Sequence, residues 1–486
     1  MYHRFIRITA VIFLAVPVAV FMGTWLNGIV ATVCATLFLL GVVFLIKDEW
    51  AEKAEDFKKN SPSWNILTVL LLAFVAMGWV ALSGIGGFSY QNPDFHNRNA
   101  IFHDLIDFQW PVVYGGDALL VYYLAYWIPS AIAGKLAGWD VANGVLFLWT
   151  CAAVFLVFNL LLQAVKSFRL WPVFVFIFFS GLDIFGMLTK GKIFHFGDHI
   201  EWWAGFLQYS SFTTQLFWVF NQAVPAWIAT LLIVLDRKKK VSIIAIYSLC
   251  IPFAPLPAMG LFPFLIYFLI KKTPKEGTYE PPKHSFSLGC LWRERLLPCL
   301  SFQNVIMPGV ILFIFGSYFM MNNNMKPGRG FIFDGSIGRI LDYAYFCVIE
   351  FGAVAAFLAT RFWRDRLFVL TVMVLLFIPF YKKGPCNDFC MRVSIPVLVI
   401  FSVYSIQYIQ RQRQKVLVLL FIILLSIGAM TPVFEIGRSV DRFIKGGGLI
   451  ADNAKTLVAA TGIRRYYLSK NIANNFFYKF LAKHSG

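Results

Sequence analysis

The sequence is poor in charged residues, and this scarcity argues against a soluble protein. Charged residues make up 14% of the 486 positions, whereas hydrophobic residues make up 59%. No polar stretch approaches the ~100 residues of a common soluble domain, since the longest cover positions 271–301 and 435–486. Apolar runs instead recur at lengths that match the hydrocarbon core of a bilayer. The composition therefore predicts an all-α polytopic membrane protein.

Two kinds of motif are also missing. The eight cysteines include no C-x-x-C pair, so neither a zinc site nor a disulfide framework is indicated. Cys386 and Cys390 share one short loop, and a local disulfide between them is left open. No glycine-rich phosphate loop of the Walker type is present, which leaves ATP-driven transport without support.

Acidic residues are few relative to basic ones, 25 against 43, which gives a formal charge of +18. In a membrane protein, Lys and Arg are enriched in the cytoplasmic loops. The positive charge is therefore better explained by membrane orientation than by nucleic-acid binding. Of the 43 basic residues, 24 fall in one set of predicted loops, 10 in the opposite set and 9 in the tail. This asymmetry predicts a cytoplasmic amino terminus and an extracytoplasmic carboxyl terminus. The expected location, as a separate matter, is a bacterial inner or plasma membrane.

The apolar runs predict about 13 transmembrane helices in three regions. These are a membrane hairpin with a cytoplasmic linker (1–64), a transmembrane domain (65–434) whose first large outer loop is 85–140, and a small extracytoplasmic tail (435–486). Residues 119–133 are expected to lie on the outer surface or only to dip into the membrane, because a span there would scatter the basic loops over both faces. The predicted spans are 8–22, 29–46, 65–84, 141–163, 172–188, 214–235, 241–253, 259–270, 304–320, 340–359, 367–381, 392–409 and 416–434.

A cluster of polar side chains at positions 89–99 directly follows an apolar run. In a membrane protein such a cluster suggests a functional site. Asp94 is the first candidate for a catalytic general base, because a carboxylate shielded by aromatics at a membrane boundary suits that role. The structural alternative is that Asp94 caps a surface helix. The same loop contributes the substrate-binding candidates His96, Arg98, Asn99 and Asp104.

The second outer loop offers His195, His199 and Glu201 as further substrate-binding candidates. The two histidines are four positions apart and would share a face if the segment were helical, a spacing compatible with a metal ion. Gly197 between them weakens the helix prediction. Polar contact with substrate or with the loop is therefore the favoured interpretation, and a metal is the weaker one.

Polar residues inside the apolar runs form another group of substrate-binding candidates: Asp183, Asn221 and Gln222. Each is costly in lipid and is expected to face a cavity or another helix. Hydrogen bonding between helices is an equal alternative.

The last outer loop ends with Arg392 at the start of a predicted span. An arginine held there presents a rigid fork to a phosphate group at headgroup depth, and Lys382 and Lys383 add charge nearby. The alternative is simple snorkelling to ordinary lipid phosphate.

Taken together, the many spans, the acidic residue in the first large outer loop and the late basic residues on the outer face resemble the GT-C superfamily. These are integral membrane glycosyltransferases that use a lipid-phosphate-linked sugar. The stretch Asn92-Pro93-Asp94-Phe95-His96-Asn97-Arg98-Asn99 carries the resemblance, with Arg392 adding to it less specifically. The resemblance implies a GT-C-like fold over 65–434, a catalytic or metal-linked role for Asp94 and a donor-phosphate contact for Arg392.

Two departures from that family limit what the resemblance implies. Asp94 lacks the adjacent acidic partner that many members have, so a divalent metal cofactor is left open rather than expected. The hairpin at 8–46 precedes what would be their first helix, which leaves the subfamily unassigned.

The sequence thus favours an inverting glycosyltransferase acting at the extracytoplasmic face. Its expected partners are a polyprenyl-phosphate-linked sugar donor, a lipid, glycan or polymer acceptor, and membrane lipids. Two alternatives remain: a multi-span transporter or lipid flippase, and an undecaprenyl-diphosphate-glycan polymerase or ligase.

Overall fold

A computed structural model describes most of the chain, and its long apolar segments are helical. The described residues are 2–51, 65–115, 117–193, 195–235, 241–271, 296–322, 328–333, 335–384, 387–446, 456–457 and 466–484. In an apolar environment a helix satisfies its backbone groups internally, which is why these segments adopt it. Polar side chains mark several helix starts: Asn65, Ser301, Ser336, Asp365 and Asn387 each accept a backbone N–H in the first turn.

The helices are numbered here in chain order. They are α1 (Tyr2–Trp25), α2 (Gly28–Ala51), α3 (Ile66–Leu82), α4 (Phe95–Asp107), α5 (Ile128–Ala137), α6 (Trp139–Val165), α7 (Trp171–Ile177), α8 (Asp183–Thr189), α9 (Phe212–Leu235), α10 (Ile243–Cys250), α11 (Pro255–Ile270), α12 (Phe302–Met320), α13 (Ile337–Phe362), α14 (Arg366–Phe377), α15 (Asp388–Arg411), α16 (Lys415–Gly428) and α17 (Met430–Lys445).

Eight helical segments within the described residues are long and apolar enough to cross a membrane, with α16 and α17 counted as one continuous segment. Three shorter apolar helices, Ile66–Leu82, Pro255–Ile270 and Arg366–Phe380, accompany them. The prediction of a polytopic helical membrane protein is therefore confirmed at this level. The predicted number of about 13 spans exceeds the eight segments that meet the length requirement.

The predicted span 172–188 is wrong as a single helix. It consists of two helices of seven residues, α7 and α8, which are separated by the non-helical segment 178–182. The backbone N–H of Leu182 bonds to the carbonyl of Ile349 on α13, 3.0 Å away, rather than to its own helix. Hydropathy detects the apolar run but cannot show that a backbone N–H within it bonds to another helix.

The segment 119–133 does not cross the membrane as a helix. It contains the end of a short strand, a single helical turn (Leu124–Tyr126) and the beginning of α5, which has ten residues. At about 1.5 Å per residue, α5 covers roughly half of a hydrocarbon core. This agrees with the predicted placement outside the membrane interior.

The helices α9 and α15 lie at the centre of the bundle, where 89% and 83% of their most apolar windows are buried. The corresponding windows of α2 and of the α16–α17 segment are only 28% and 22% buried, so these helices lie at the periphery. Central position matters for the site, because polar residues on α9 and α15 are removed from solvent by their neighbours.

Two small sheets connect distant loops. In the first, β2 (Ala118–Leu120) lies between β1 (Val113–Tyr114) and β5 (Leu468–Lys470), and all pairs are antiparallel. In the second, β3 (Arg329–Phe331) pairs with β4 (Tyr381–Lys383), also antiparallel. The first sheet joins the predicted tail to the predicted first outer loop, with Leu119 opposite Ser469. The end of the chain is therefore part of the same structure as residues 85–140.

The predicted boundary between the membrane domain and the tail falls within a helix. Helix α17 follows α16 after one residue and continues to Lys445. Glu435, the first residue of the predicted tail, is 1% exposed and lies among the helices.

The contact between α11 and α15 requires a glycine, which gives a test of the packing. A Cβ at position 260 would lie 1.9 Å from the carbonyl oxygen of Val393, and the backbone there cannot move aside easily. We expect Gly260→Ala to lower the free energy of unfolding by about 1–3 kcal/mol through overpacking. Thermal unfolding of the detergent-solubilised protein measures this, with Gly78→Ala as the control because no atom lies within 4 Å of its Cβ position. Equal stability of the two variants would contradict the packing described.

Candidate functional site

Asp94 lies immediately before α4 and faces the turn that follows it. Its side chain does not cap the helix; Oδ2 instead accepts a hydrogen bond of 2.9 Å from Nη2 of Arg98. The Asp94 side chain is 47% exposed, whereas that of Arg98 is 7% exposed. Asp94 therefore does not act as a helix cap. Its partly accessible carboxylate is held in place by the buried guanidinium of Arg98.

The Arg98 side chain lies between aromatic rings. Its guanidinium carbon is 5.6 Å from the ring centres of both Phe95 and Phe220. Phe220 belongs to the central helix α9, so this contact ties α4 to the middle of the bundle. The geometry fixes the position of Arg98 and, through the salt bridge, that of Asp94.

Arg392 lies in the first turns of α15 and makes a matching ion pair. Its Nη2 is 3.0 Å from Oδ1 of Asp388, one turn earlier. The helix start is shaped by Asn387, which has a left-handed backbone (φ 52°) and whose side-chain oxygen accepts from the backbone N–H groups of Cys390 and Lys383. Cys386, for which a disulfide with Cys390 is left open, lies outside the described residues.

Asp94 and Arg392 come from distant parts of the chain, yet their charges lie close enough to interact. Three tyrosines lie near enough to interact electrostatically with Arg392. Tyr122 stacks on Tyr123 with ring centres 4.7 Å apart and meets Tyr467 edge-on at 4.9 Å. Together with Arg98 and Asp388, these residues are called the Asp94–Arg392 cluster below.

The pKa values of two tyrosines in the cluster are shifted by burial and by the nearby charges. Burial raises the pKa of Tyr467, with Tyr122 and Asp94 acting in the same sense and Arg392 opposing. Burial also raises the pKa of Tyr123 to about 12, and Arg392 again opposes the change. Both phenols therefore stay protonated at neutral pH and can donate hydrogen bonds to a bound anion.

Both arginines of the cluster have hydrogen-bonding capacity left over. Nη1 of Arg98 and Nε of Arg392 are buried and have no hydrogen-bond partner among the described residues. A buried N–H group without a partner is costly, and an anion is one kind of ligand that would satisfy such a group. The donor-phosphate role of Arg392 stays a prediction.

Sequence reasoning missed four members of the cluster: Tyr122, Tyr123, Asp388 and Tyr467. Asp388 precedes Arg392 by four positions in a helix, and this spacing is a signal that could have revealed the ion pair. Tyr467 reaches the cluster only because β5 pairs with β2, and nothing local in the sequence indicates that pairing.

Other predicted residues of the first outer loop lie around the cluster rather than in it. Asn99 is buried and donates to Oε1 of Gln91 at 2.8 Å, which supports the loop. His96 is exposed. Asp104 is fully buried and accepts from the Tyr114 hydroxyl, the Thr456 hydroxyl and the backbone N–H of Leu457. Burial raises the pKa of Asp104, and its contacts indicate a structural role in anchoring residues 456–457.

Lys382 and Lys383 lie on β4. The Lys382 ammonium is 4.6 Å from the ring centre of Phe206, where the guanidinium of Arg339 also lies at 5.2 Å. Lys383 is exposed and pairs through its backbone with Arg329. These lysines therefore have different neighbours from Arg392.

The second outer loop does not place its histidines on one helical face, so the condition for a shared metal-binding face is not met, in line with the weakened helix prediction at Gly197. Gly197 has a positive φ of 90°, and helical turns begin only at Ile200. The His195 side chain is 83% exposed, with Nδ1 3.8 Å from Asp198, whereas His199 is 7% exposed and hydrogen-bonded through Nδ1 to Glu435. Within the described part of the chain, no three His, Cys, Asp or Glu side chains are arranged to hold a metal ion.

Glu435 organises the surroundings of His199. Its carboxylate also accepts from the Trp218 indole at 3.0 Å and from Arg438, whose guanidinium stacks over the Trp218 ring. Burial alone would lower the pKa of His199, but the adjacent Glu435 carboxylate raises it above its usual value. His199 thus belongs to an ion-paired network that joins the second outer loop to α17.

Glu201 is 1% exposed and lies beside this network. It accepts from the Gln208 side chain at 2.7 Å and from the backbone N–H of Ser211 at 2.9 Å. Burial raises the pKa of Glu201 to about 7; His199 opposes this rise, and the carboxylates of Asp183 and Glu435 add to it.

The buried polar residues of the apolar runs have different surroundings. Asp183 accepts from Ser180, Trp203 and Thr431, so its oxygens are well satisfied. Asn221 and Gln222 are fully buried on α9, and none of their side-chain polar atoms has a hydrogen-bond partner among the described residues. Interhelical hydrogen bonding therefore accounts for Asp183 but not for the two amides.

No family model matches the sequence, and neither a curated protein nor a solved structure is significantly similar to the chain. The fold defines the protein as an integral membrane protein built from helices.

The raised pKa of Glu201 predicts a pH dependence of stability. Because the folded state favours the protonated form, the stability that Glu201 contributes is complete below its ordinary value of 4.5 and is lost as the pH rises through about 7. A tenfold difference in proton affinity between the folded and unfolded states corresponds to about 1.4 kcal/mol of stability. We expect Glu201→Gln to flatten the loss of thermal stability between pH 5 and pH 8.

The measurement is thermal unfolding in detergent at a series of pH values. Asp342→Asn is the control, because that carboxylate is 56% exposed and pairs with Lys190 at the surface. A pH profile that is the same for the wild type and Glu201→Gln would refute the assignment.

Proposed function

We propose that this protein is a membrane glycosyltransferase that moves a sugar from a polyprenyl-phosphate donor to an acceptor hydroxyl at the extracytoplasmic face. The observation that supports it is the Asp94–Arg392 cluster. It contains a partly exposed carboxylate, two arginines with unsatisfied N–H donors and three tyrosines. These are the groups needed to accept a proton and to hold a phosphate.

In this proposal Arg392 holds the donor phosphate. Its Nη2 is occupied by Asp388, whereas its buried Nε has no hydrogen-bond partner among the described residues and would donate to the phosphate. As the bond between the anomeric carbon and the phosphate oxygen breaks, negative charge grows on the phosphate, and a fixed guanidinium stabilises that charge. The Tyr123 and Tyr467 hydroxyls, protonated at neutral pH, add neutral donors.

Asp94 takes the proton of the acceptor. Arg98 binds only Oδ2 of Asp94, so the other oxygen is available to an incoming hydroxyl. The acceptor oxygen attacks the anomeric carbon, its proton passes to Asp94, and the polyprenyl phosphate leaves. A single displacement of this kind inverts the anomeric configuration. The GT-C-like arrangement and the extracytoplasmic location belong to the same proposal.

Substitutions in the cluster separate the two roles. We expect Asp94→Asn to lower the transfer rate by roughly 10²–10⁴-fold while leaving the binding of undecaprenyl phosphate intact. Arg392→Ala should weaken that binding, and Arg392→Lys should restore only part of it, because lysine lacks the planar fork. Transfer is measured in proteoliposomes with a panel of polyprenyl-monophosphate sugars, and binding is measured by native mass spectrometry with undecaprenyl phosphate.

The matched control for Asp94→Asn is Asp441→Asn. Asp441 also pairs with a basic residue one turn later in the chain, Lys445 on α17, whose side chain is 73% exposed, whereas that of Arg98 is 7% exposed. Full transfer activity in Asp94→Asn, or equal binding of undecaprenyl phosphate by the wild type and Arg392→Ala, would contradict the proposal.

A polyprenyl-diphosphate-linked glycan is the second candidate donor, which would make the protein a polymerase or ligase. The unsatisfied donors on two arginines, rather than one, favour it. Arg98→Lys distinguishes the two donors: it should weaken the binding of undecaprenyl diphosphate more than that of the monophosphate if both arginines contact phosphate.

A further inference from the structure

Two buried carboxyl groups meet where the helical structure of two segments is interrupted. Asp183 follows the non-helical segment 178–182, and Glu350 lies in a π-helical turn, Val348–Gly352, inside α13. Trp203 joins them: its indole N–H lies 3.1 Å from Oδ1 of Asp183 and 3.0 Å from Oε1 of Glu350. π-helical turns are rare in proteins, and those that occur are often found at functional sites.

The position of Glu350 makes an ionised carboxylate costly. Glu350 is 5% exposed and lies 13 residues after Ile337 and 12 before Phe362, the ends of a candidate membrane span. At about 1.5 Å per residue, each end of the helix is roughly 20 Å away. A charge at the centre of a membrane helix is tolerated only when a partner neutralises it.

No cation is available to neutralise this pair among the described residues. The donors to Asp183 are the hydroxyls of Ser180 and Thr431 and the Trp203 indole, all of which are neutral. The titratable groups that act on Glu350 from the packed elements are Asp183 on α8 and Glu201 in the turn before α9. Glu350 in turn acts on Tyr209 and on Cys390 of α15. None of these side chains carries a positive charge.

The two carboxyl groups are also within hydrogen-bonding reach of each other. Two ionised carboxylates repel at that separation, whereas one proton between them turns the contact into a hydrogen bond. We propose that Asp183 and Glu350 form a proton-binding site that holds one proton between the two carboxyl groups at neutral pH. This site is separate from the Asp94–Arg392 cluster and does not depend on the function proposed for it.

The proton resides on Glu350. Asp183 already accepts three hydrogen bonds, which stabilise its ionised form. Oε2 of Glu350, in contrast, is buried without a hydrogen-bond donor among the described residues, as expected for a protonated carboxyl group. A Cβ at Gly181 would lie 2.5 Å from this oxygen, so the absence of a side chain lets the carboxyl approach the backbone. The close packing favours a proton over a larger cation.

Protonation couples two parts of the structure. The backbone bond from Leu182 to Ile349 joins the non-helical segment to the π-helical turn beside the acid pair. Loss of the proton would place two like charges across this junction. The neighbouring Glu201, whose pKa is raised by burial to about 7, can exchange protons at neutral pH.

Infrared spectroscopy of the full chain in lipid nanodiscs tests the proposal directly. We expect a carbonyl band of a protonated carboxyl group at pH 7.5, shifted by exchange into D₂O, and its loss in Glu350→Gln. In Asp183→Asn the band should persist but move, because the acceptor of the proton changes from a carboxylate to an amide. Asp342→Asn, a surface substitution on the same helix, should leave the band unchanged.

Two further measurements make the outcome decisive. Glu201→Gln identifies the part of the band that titrates near pH 7, so that Glu201 is not mistaken for the pair. Size-exclusion profiles and circular dichroism establish that each variant is folded. A band that survives in folded Glu350→Gln, or that does not move in Asp183→Asn, overturns the shared proton. Stabilisation of the wild type by sodium over choline, without any such band, would overturn it in favour of a sodium ion.

Discussion

Buried charge has to be neutralised locally in this protein, and the polar part of the structure follows from that constraint. A bundle whose exterior contacts hydrocarbon offers no water to an isolated ion, so each buried ionisable side chain needs a partner. Asp94 pairs with Arg98, Asp388 with Arg392, and Glu435 with both His199 and Arg438. Each partner lies either one turn away on the same helix or on a segment that the fold brings alongside. Asp104 and Glu201 are held by neutral hydrogen-bond donors instead. At the acid pair of Asp183 and Glu350, the proposed proton takes the place of a cation.

The same constraint explains why the candidate site has unsatisfied groups. Asp94 and Asp388 each bind Nη2 of an arginine. Nη1 of Arg98 and Nε of Arg392 are left without a hydrogen-bond partner among the described residues. A protein that needed these arginines only for packing would gain stability by satisfying them or by replacing them with apolar side chains. Retaining them with donors to spare suits a binding site, where the ligand completes the hydrogen bonds.

Much of the fold was predictable from the sequence, because hydropathy and helix signals are local. The helices α1, α2, α6 and α9 begin and end within a few residues of the predicted spans, apart from the longer start of α1. The failures are long-range. The run 172–188 breaks where Leu182 finds its backbone partner on α13, and the burial of His199 depends on Glu435 of α17. The roles predicted for Asp94 and Arg392 stay predictions. Tyr467 could not be found without the β2–β5 pairing.

That pairing has a consequence for the order in which the protein is made. Asp94 and the strand β2 are synthesised early, but β5 and Tyr467 follow only after all the membrane helices described here. The β2–β5 pairing can therefore form only after those helices have been synthesised. Until the late strand adds to the edge of β2, the side of the charged cluster that Tyr467 occupies is uncovered.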